Sequence, residues 1–347
     1  MQAVQIDRYS QQINVHIREV AKPTPKPNQV LIKVVTAAVN PVDLLNLTGA
    51  VKLIHPLTMP ATLGNECAGI ITAVGQQVQQ FKVGDRVFTR LPMDQIGAFA
   101  EFVAVDQTAI AKIPAEYDFK RAVTIPLTGL TAYQALTEEL AAQPGETVLI
   151  PGGSGSFGQI AVPIAKALKL RVIVTGNARA QEQILAAGAD QYLDYHKENY
   201  WERLAPVDYV IDTLGPREMA HELSILKPGG KLVSLRTMPN YAFAVKNHFP
   251  LYKRLLFGMA GYKYDRQAKR AGQEYRFLFV RADGKQLQRV AQILAKQGVV
   301  PQVDPHGFTL DQASAALALV KNGPTQGKVI LQVAASTADE GFRGSDR

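Results

Sequence analysis

Cysteine is almost absent from this chain of 347 residues, and that scarcity excludes several classes of structure. The single thiol, Cys67, cannot form an internal disulfide and cannot supply a cysteine-rich structural zinc site. Its neighbours Ala68, Gly69 and Ile70 are small or apolar. We therefore expect Cys67 to be a buried, unreactive side chain.

Long apolar runs are also missing. No stretch approaches the roughly 18 residues that a helix needs to cross a bilayer, and the N-terminus opens into strand-like sequence without a signal-peptide pattern. We expect a cytoplasmic protein with no membrane partner. The composition, 47% hydrophobic and 20% charged, is typical of a globular enzyme. The length exceeds what one core usually supports, which predicts two domains.

Acidic residues are outnumbered, 30 against 38 basic ones, and the formal net charge is +8. Most bases are dispersed, but residues 253–276 interleave them with tyrosine and phenylalanine. Such a mixture can stack on nucleic-acid bases, yet no RNA-binding motif accompanies it, and we expect no nucleic-acid partner. We interpret the segment as a solvated, partly helical excursion whose charge attracts an anionic cofactor or substrate.

The chain does contain a glycine-rich turn, in which Gly153, Gly155 and Gly158 form the pattern Gly-x-Gly-x-x-Gly. Residues 147–150 before it have the length and branching of a buried strand, and residues 159–168 carry apolar side chains at helical spacing. The first glycine permits a tight bend, the second lets a pyrophosphate approach, and the third lets the helix pack on the strand. The helix N-terminus favours the phosphates. The pattern predicts a dinucleotide site.

An acidic residue is missing about 20 residues further on, where an NAD site usually holds the adenosine ribose. The second strand, residues 171–175, opens instead into Gly176-Asn-Ala-Arg179. Arg179 can pair with the extra phosphate of NADP, which an acid would repel. We therefore predict NADPH as the cofactor. The alternative is that Arg179 only begins an exposed helix.

The pattern of elements changes along the chain. Short strands and turns fill the sequence up to about residue 112, helical spacing follows from 117 to 140, and strands then alternate with helices. That alternation predicts a doubly wound parallel sheet with its ligand at the carboxyl ends of the strands. The strands are predicted at 30–35, 68–74, 84–88, 98–103, 148–150, 172–175, 192–193, 209–212, 231–235 and 328–333. Helices predicted at 285–297 and 310–321 are expected to return with the last strand to the first domain.

Eight short motifs follow one another in a specific order. They are Asn40-Pro-Val-Asp43, Leu63-Gly-Asn-Glu-Cys-Ala-Gly69, Val83-Gly-Asp-Arg-Val87, Leu127-Thr-Gly-Leu-Thr-Ala-Tyr133, the glycine turn, Asp208-Tyr-Val-Ile-Asp-Thr-Leu-Gly215, Leu226-Lys-Pro-Gly-Gly-Lys231 and Gly327-Lys-Val-Ile330. With them, residues 1–333 resemble the medium-chain dehydrogenase/reductase superfamily, in its zinc-free quinone oxidoreductase branch.

The resemblance implies an α/β fold in two domains. An N-terminal GroES-like domain of β-barrel type would comprise residues 1–122 and 281–335, and a Rossmann NADP-binding domain would comprise residues 123–280. Residues 336–347 are polar and glycine-bearing, and we predict a disordered tail there. The resemblance also implies a homodimer formed through the edge of the parallel sheet.

Two positions depart from the zinc-dependent alcohol dehydrogenases, which have a cysteine in place of Asn40 and a histidine in place of Asn65. Amides bind zinc poorly beside thiolate or imidazole, and Glu66 cannot form a site alone. None of the six histidines supplies a metal-ligand spacing. We predict no metal. Because alkoxide formation from an alcohol needs a Lewis acid, a zinc-dependent alcohol dehydrogenase is the least favoured function.

A zinc-free NADPH site can deliver hydride to a carbon that is already electrophilic, such as a quinone ring or the β-carbon of an α,β-unsaturated ketone. We therefore predict a zinc-independent NADPH oxidoreductase acting on small hydrophobic quinones or enones. Two alternatives stay open, an enoyl-thioester reductase and a catalytically idle dinucleotide-binding protein. No proton donor is evident in residues 44–51.

The resemblance also implies roles for individual residues. Asn40 is the candidate for positioning the substrate and the nicotinamide ribose. The remaining candidates are Thr131 under the nicotinamide, Gly153, Gly155, Ser156 and Gly158 around the pyrophosphate, Asn177, Arg179 and Tyr195 at the adenosine 2′-phosphate, Leu214 and Gly215 on the adenine side, Phe279 and Val280 at the carboxamide, and Lys328 at a phosphate. For Tyr195 and Lys328, an ordinary surface aromatic and a strand-edge lysine are the alternatives.

Overall fold

The structure, a computed structural model, describes residues 1–334, and the predicted tail at 336–347 lies outside the described residues. In chain order its strands are β1 (Gln2–Ile6), β2 (His16–Glu19), β3 (Gln29–Ala38), β4 (Ala61–Thr62), β5 (Glu66–Val74), β6 (Arg86–Arg90), β7 (Phe102–Asp106), β8 (Ile110–Lys112), β9 (Thr147–Ile150), β10 (Arg171–Gly176), β11 (Gln191–Asp194), β12 (Val207–Asp212), β13 (Leu226–Ser234), β14 (Glu274–Phe277), β15 (Phe308–Thr309) and β16 (Ile330–Gln332).

The α-helices alternate with these strands in the middle of the chain. They are α1 (Pro41–Thr48), α2 (Phe119–Ala122), α3 (Pro126–Gln134), α4 (Ser156–Ala167), α5 (Gln181–Ala186), α6 (Tyr200–Arg203), α7 (Met219–Ser224), α8 (Tyr241–Lys246), α9 (Leu251–Arg270), α10 (Gly284–Lys296) and α11 (Ala313–Asn322). None of the helices among residues 1–334 is both long enough and apolar enough to cross a bilayer.

The chain forms two compact units. The first comprises Met1–Leu130 together with the chain from Arg281 onward, and the second is Thr131–Val280. The first unit is therefore discontinuous in sequence, because the whole second unit is inserted before its last strands and helices.

The second unit is built on a parallel sheet of six strands in the order β11-β10-β9-β12-β13-β14. Its central strand, β9, carries Val148, Leu149 and Ile150, all fully buried, because helices cover both faces of such a sheet. The strand order reverses between β9 and β12, so the loops that follow these strands diverge and leave a crevice. The predicted doubly wound parallel sheet is confirmed.

The first unit is mostly antiparallel. Its larger sheet has the order β15-β16-β3-β5-β6-β8, with β7 also paired to β3, and a three-stranded sheet has the order β2-β1-β4. Strand β3 is long enough to pair β7 through residues 29–33 and β16 through residues 36–38. Only Lys33 of its ten residues is exposed, so the strand forms the centre of this core. Cys67 of β5 is buried, as predicted, and burial raises the pKa of its thiol.

Two sequence expectations differ from the structure in detail. The strand predicted at 98–103 begins only at Phe102, because the Ala98 and Phe99 N–H groups bond to the carbonyls of Gly64 and Leu63 instead. The helical spacing of 117–140 is divided into α2, α3 and a π-helical turn at Ala135–Glu139. The Asp118 side chain caps α2 by accepting from the Arg121 N–H at 2.7 Å, which fixes one of the boundaries.

Candidate functional site

The glycine turn joins β9 to α4 through a bend at Gly152. This residue has φ +67°, and a Cβ there would lie 2.5 Å from Cδ2 of Leu214. Sequence reasoning assigned the tight bend to Gly153, but Gly152 adopts the left-handed conformation. Gly153 serves packing instead, since a Cβ on it would lie 2.8 Å from Cγ1 of Val174 in β10. The adjacent pair Gly152-Gly153 is the sequence signal for this bend.

Gly155 and Gly158 meet different constraints. A Cβ on Gly158 would lie 1.8 Å from the Gly153 carbonyl oxygen, so only glycine lets α4 pack this close to the turn. A Cβ on Gly155 would meet nothing within 4 Å. The space in front of Gly155 and of Ser156, the first residue of α4, is therefore open. The unpaired N–H groups of the first helical turn make this end of α4 fit an anionic pyrophosphate.

The loop after β10 lies against the glycine turn. A Cβ on Gly176 would lie 2.2 Å from Oη of Tyr192 and 2.5 Å from Cβ of Ser154. The Tyr192 hydroxyl donates to the Asn177 carbonyl at 2.6 Å, and burial raises its pKa to about 12. The Asn177 side chain accepts from the Arg179 N–H at 3.1 Å. These contacts fix the loop and leave the Arg179 side chain exposed.

The side chains that determine the charge around Arg179 lie at or just after the carboxyl ends of β10 and β11. A carboxylate, Asp194, lies in register with Gly176, but it accepts from the His196 N–H at 3.1 Å and its Oδ2 is 3.8 Å from the Lys197 ammonium. Tyr195 is 56% exposed, and its ring centroid lies 4.1 Å from that of His196, with the two rings tilted by 39°. The loop thus presents a cation and an aromatic ring to solvent.

The loop after β12 is held by a buried carboxylate that sequence reasoning did not single out. Oδ1 of Asp212 accepts from the N–H groups of Leu214 at 2.8 Å and Gly215 at 2.6 Å. The Ser234 hydroxyl donates to Oδ2 of Asp212 at 2.5 Å. These bonds hold Leu214 in contact with Gly152 and fix Gly215 at φ +93°. An aspartate at the very end of a buried strand was the available signal.

The predicted residues fall into two sets. In the second unit the loops after β9, β10, β12 and β14 bring most of them to the carboxyl edge of the parallel sheet, while Thr131 lies in α3. Phe279 and Val280 follow β14 there and are half-buried. Asn40 and Lys328 belong to the first unit.

Asn40 and Lys328 meet in a buried polar cluster. The Lys328 ammonium lies 2.5 Å from Oδ1 of Asn40, 2.9 Å from Oε1 of Glu66 and 3.0 Å from Oγ1 of Thr128. Oε2 of Glu66 accepts from the Leu127 N–H at 2.7 Å. Glu66 is 0% and Lys328 6% exposed, so the ion pair is almost fully desolvated. Such a pair persists only where hydrogen bonds satisfy both partners.

This geometry bears on the role implied for Lys328. An ammonium group has three N–H donors, and here three oxygen atoms lie within hydrogen-bond distance of it. In this arrangement the three donors face protein oxygen atoms, and the role of Lys328 at a phosphate stays a prediction. Its motif, Gly327-Lys-Val-Ile330, did not reveal the partners because Asn40 is 288 residues away in the chain.

Two further charged groups border the cluster. Asp43, 0% exposed, accepts from the Asn40 N–H at 2.7 Å and from Nδ2 of Asn65 at 2.6 Å. Burial raises the pKa of Asp43 to about 7, against the opposing effect of these hydrogen bonds. Burial lowers the pKa of Arg90, which is 1% exposed, to about 10. Among residues 1–334, His, Cys, Asp and Glu side chains do not gather in threes that would hold a metal ion.

Known proteins match both halves of the sequence. Residues 26–115 match the alcohol dehydrogenase GroES-like domain, and residues 187–331 match the zinc-binding dehydrogenase family. Human quinone oxidoreductase is 35% identical over 222 residues, which are 62% of this chain and 66%, just under two thirds, of the human protein. The 2-methylene-furan-3-one reductase of Solanum lycopersicum is 30% identical over 324 residues, 90% of this chain and 74% of that protein.

A solved structure matches the whole fold. The quinone oxidoreductase from Coxiella burnetii has a TM-score of 0.80 and 26% identity, covering 96% of this chain and 99% of that one. A GroES-like unit followed by a parallel dinucleotide-binding sheet defines the medium-chain dehydrogenases and reductases. The chain belongs to this superfamily, in its quinone oxidoreductase-like group. The predicted family and the predicted GroES-like domain are confirmed.

We expect the same substitution, glycine to alanine, to have different effects at Gly155 and at Gly158. Gly155→Ala should leave stability unchanged, because φ is −95° and the space is open, but should weaken dinucleotide binding roughly tenfold by filling the phosphate space. Gly158→Ala should instead destabilise the fold by about 1–3 kcal/mol through overpacking. Urea unfolding without cofactor and fluorescence titration with dinucleotide separate the two effects. Normal binding by Gly155→Ala would contradict this assignment.

The buried ion pair predicts a strong coupling. Lys328→Met should lower the free energy of unfolding by about 3–5 kcal/mol, because it leaves the Glu66 carboxylate buried without a cation. Adding Glu66→Gln should restore part of that loss, as measured by urea unfolding in a double-mutant cycle. The exposed pair Arg18 and Asp7 is the control, and the same cycle there should show little coupling. Additive losses at Lys328 and Glu66 would refute the coupling.

Proposed function

We propose that this protein is a zinc-independent, NADPH-dependent oxidoreductase that transfers hydride to a quinone or to the activated C=C bond of an α,β-unsaturated carbonyl compound. The observation that carries the proposal is the Lys328 ammonium at 2.5 Å from Asn40 and 2.9 Å from Glu66. The ammonium thus contacts oxygen atoms at two of the three positions, Asn40, Asn65 and Glu66, that a catalytic metal would need.

The side-chain amides of Asn40 and Asn65, which stand where the zinc-dependent alcohol dehydrogenases have zinc ligands, support the same proposal. Nδ2 of Asn40 donates to Oε1 of Glu66 at 2.8 Å, and Nδ2 of Asn65 donates to Oδ1 of Asp43 at 2.6 Å. Each amide therefore donates to a carboxylate oxygen and stabilises its negative charge. Amide oxygens are poor ligands for zinc, which prefers sulfur and nitrogen.

The orientation of Asn40 limits what its side chain can do. Its Nδ2 lies 2.8 Å from Oε1 of Glu66 and 3.2 Å from the Ala38 carbonyl, so both N–H donors are used. Oδ1 receives a bond from Lys328, and the Asp43 N–H in the capping box of α1 also approaches the Asn40 side chain. Because both of its N–H donors are committed to protein oxygen atoms, Asn40 cannot donate a hydrogen bond to a substrate carbonyl. Its role is positioning.

The second unit fits NADPH through its loops. The N-terminus of α4 and the open space at Gly155 would hold the pyrophosphate, and Arg179 with Asn177 would hold the 2′-phosphate. When bound, NADPH supplies a hydride. Leu214 over the glycine turn, fixed through Asp212, would support the adenine side.

The proposed reaction balances without a metal. Hydride adds to the β-carbon of an enone, the C=C electron pair moves to the conjugated oxygen, and the enolate takes a proton from water to give the saturated ketone. A quinone likewise takes a hydride and a proton to give the hydroquinone. The names of two relatives, a quinone oxidoreductase and a 2-methylene-furan-3-one reductase, cover these two substrate classes.

A substrate panel tests the reaction. The purified protein should oxidise NADPH with benzoquinone or with a simple enone such as 3-buten-2-one, and it should not reduce NADP with primary alcohols. A chelator should leave the rate unchanged, because no metal polarises the substrate. Loss of NADPH absorbance measures the rate. Turnover of crotonyl-CoA alone would favour an enoyl-thioester reductase, and tight NADPH binding without any turnover would favour an idle binding protein.

The cofactor choice predicts the effect of one substitution. Arg179→Glu should raise the KM for NADPH roughly 10- to 100-fold, because a charge-assisted bond to the 2′-phosphate is lost and a repulsion is added. The KM for NADH should change little. Arg171→Glu, at the exposed start of β10, the strand that precedes Arg179, is the matched control and should affect neither cofactor. Equal use of NADPH and NADH by the unsubstituted protein would defeat this assignment.

A further inference from the structure

Helix α9 (Leu251–Arg270) presents one face to the second unit and the other to solvent. Its buried residues, Phe257, Gly261, Tyr264 and Ala268, recur at steps of four, three and four, the spacing of one helical face. Phe257 contacts Phe243 of α8 at a ring distance of 6.1 Å, and Tyr264 stacks on Tyr275 of β14 at 5.3 Å. These contacts anchor α9 and fix which residues point outward.

The first three turns of the outward face are apolar. Six large side chains there are between 42% and 69% exposed: Leu251, Tyr252, Leu255, Leu256, Met259 and Tyr262. Tyr241 of α8, 46% exposed, extends the patch, because its ring lies 3.5 Å from where a Cβ on Gly258 would be. Single exposed apolar residues are ordinary, but a contiguous patch marks an interaction surface.

The last turns of the same face are basic. Lys263, Arg266, Lys269 and Arg270 are all exposed. The one acid of the helix, Asp265, is half-buried and accepts from Nδ2 of Asn240 at 2.7 Å. The outward face therefore combines an apolar half with a cationic half and carries no exposed carboxylate.

A second copy of this chain does not fit the whole face. In a parallel two-fold pairing the basic half would oppose the basic half of the partner, with direct repulsion. In an antiparallel pairing each basic half would be pressed against an apolar half, and several cations would lose their hydration without gaining a partner. Neither arrangement buries this surface favourably.

An anionic lipid surface fits both halves at once. We propose that α9 docks the protein on membranes containing anionic lipids, with Leu255, Met259 and their neighbours inserted among the acyl chains. A basic amphipathic helix lies in the plane of the interface in this way, its apolar side chains about 5–10 Å deep and its Lys and Arg residues at the phosphates. The 20 residues of α9 extend about 30 Å along that plane.

This inference revises the expectation of no membrane partner. That expectation came from the lack of a run long enough to span a bilayer, and no helix among the described residues does span one. A helix that lies on the surface of a bilayer needs no such run, and the opposite face of α9 packs against α8 and β14. The inference stands independently of the reaction proposed above.

Vesicle co-sedimentation with the full chain tests the docking. We expect binding to vesicles of phosphatidylcholine mixed with phosphatidylglycerol, and binding at least tenfold weaker to pure phosphatidylcholine. Molar salt should release the protein from the mixed vesicles, because the Debye length falls from about 8 Å to about 3 Å. No binding to the mixed vesicles at low salt would overturn the proposal.

Paired substitutions locate the surface. Leu255→Ser with Met259→Ser should weaken binding to mixed vesicles at least tenfold, and Lys263→Gln with Arg266→Gln should weaken it about fivefold per charge removed. Val83→Ser with Val300→Ser, at residues 59% and 61% exposed, is the matched apolar control. Lys120→Gln with Lys285→Gln is the matched charge control.

The outcomes separate lipid from protein as the occupant. Control pairs that reduce binding as much as the α9 pairs would overturn the proposal. Light scattering on the Leu255 and Met259 pair supplies a second readout. If those substitutions lower the molecular mass of the assembly while the unsubstituted protein ignores vesicles, a second copy covers the face and the proposal is wrong.

Discussion

The contact between Lys328 and Glu66 is the constraint on which the first unit depends. It joins the segment before β16 to β5, and through Asn40 it reaches the start of α1, so the last part of the chain is tied to the first part across the whole inserted unit. Both charges are desolvated, which is unfavourable unless every donor and acceptor is matched. Asn40, Thr128 and the Leu127 N–H supply those matches.

The glycine turn separates structural from functional constraints within one motif. Gly152 and Gly158 have no room for a Cβ, so any dinucleotide-binding relative and any idle descendant of one would need them equally for folding. Gly155 has room and an ordinary φ, so nothing in the fold requires a glycine there. A glycine that the fold does not require is compatible with the close approach of a pyrophosphate, which is the role that the motif predicts. The motif therefore carries information about a ligand at one residue only.

Sequence reasoning predicted what short-range patterns encode. The buried strands, the alternation of strands with helices and the glycine turn all depend on neighbouring residues, and the parallel sheet followed from them. The partners of Lys328 were missed because Asn40 lies 288 residues away, and only the partnership of Asp212 with Ser234, 22 residues away, is similarly remote. The surface of α9 was missed for a related reason. Its bases lower the average hydropathy of the segment, and only the fold separates the buried aromatics from the exposed apolar residues.

The composition of α9 then requires its own explanation. Phe257 and Tyr264 hold the helix against α8 and β14 through aromatic contacts, whereas Leu251, Leu255 and Met259 are each more than half exposed. Polar side chains at Leu251, Leu255 and Met259 would preserve the helix equally well and would avoid exposing apolar area to water. Folding alone therefore gives no reason for apolar residues along three turns. A lipid surface, with apolar acyl chains below anionic phosphates, would explain the apolar residues of α9.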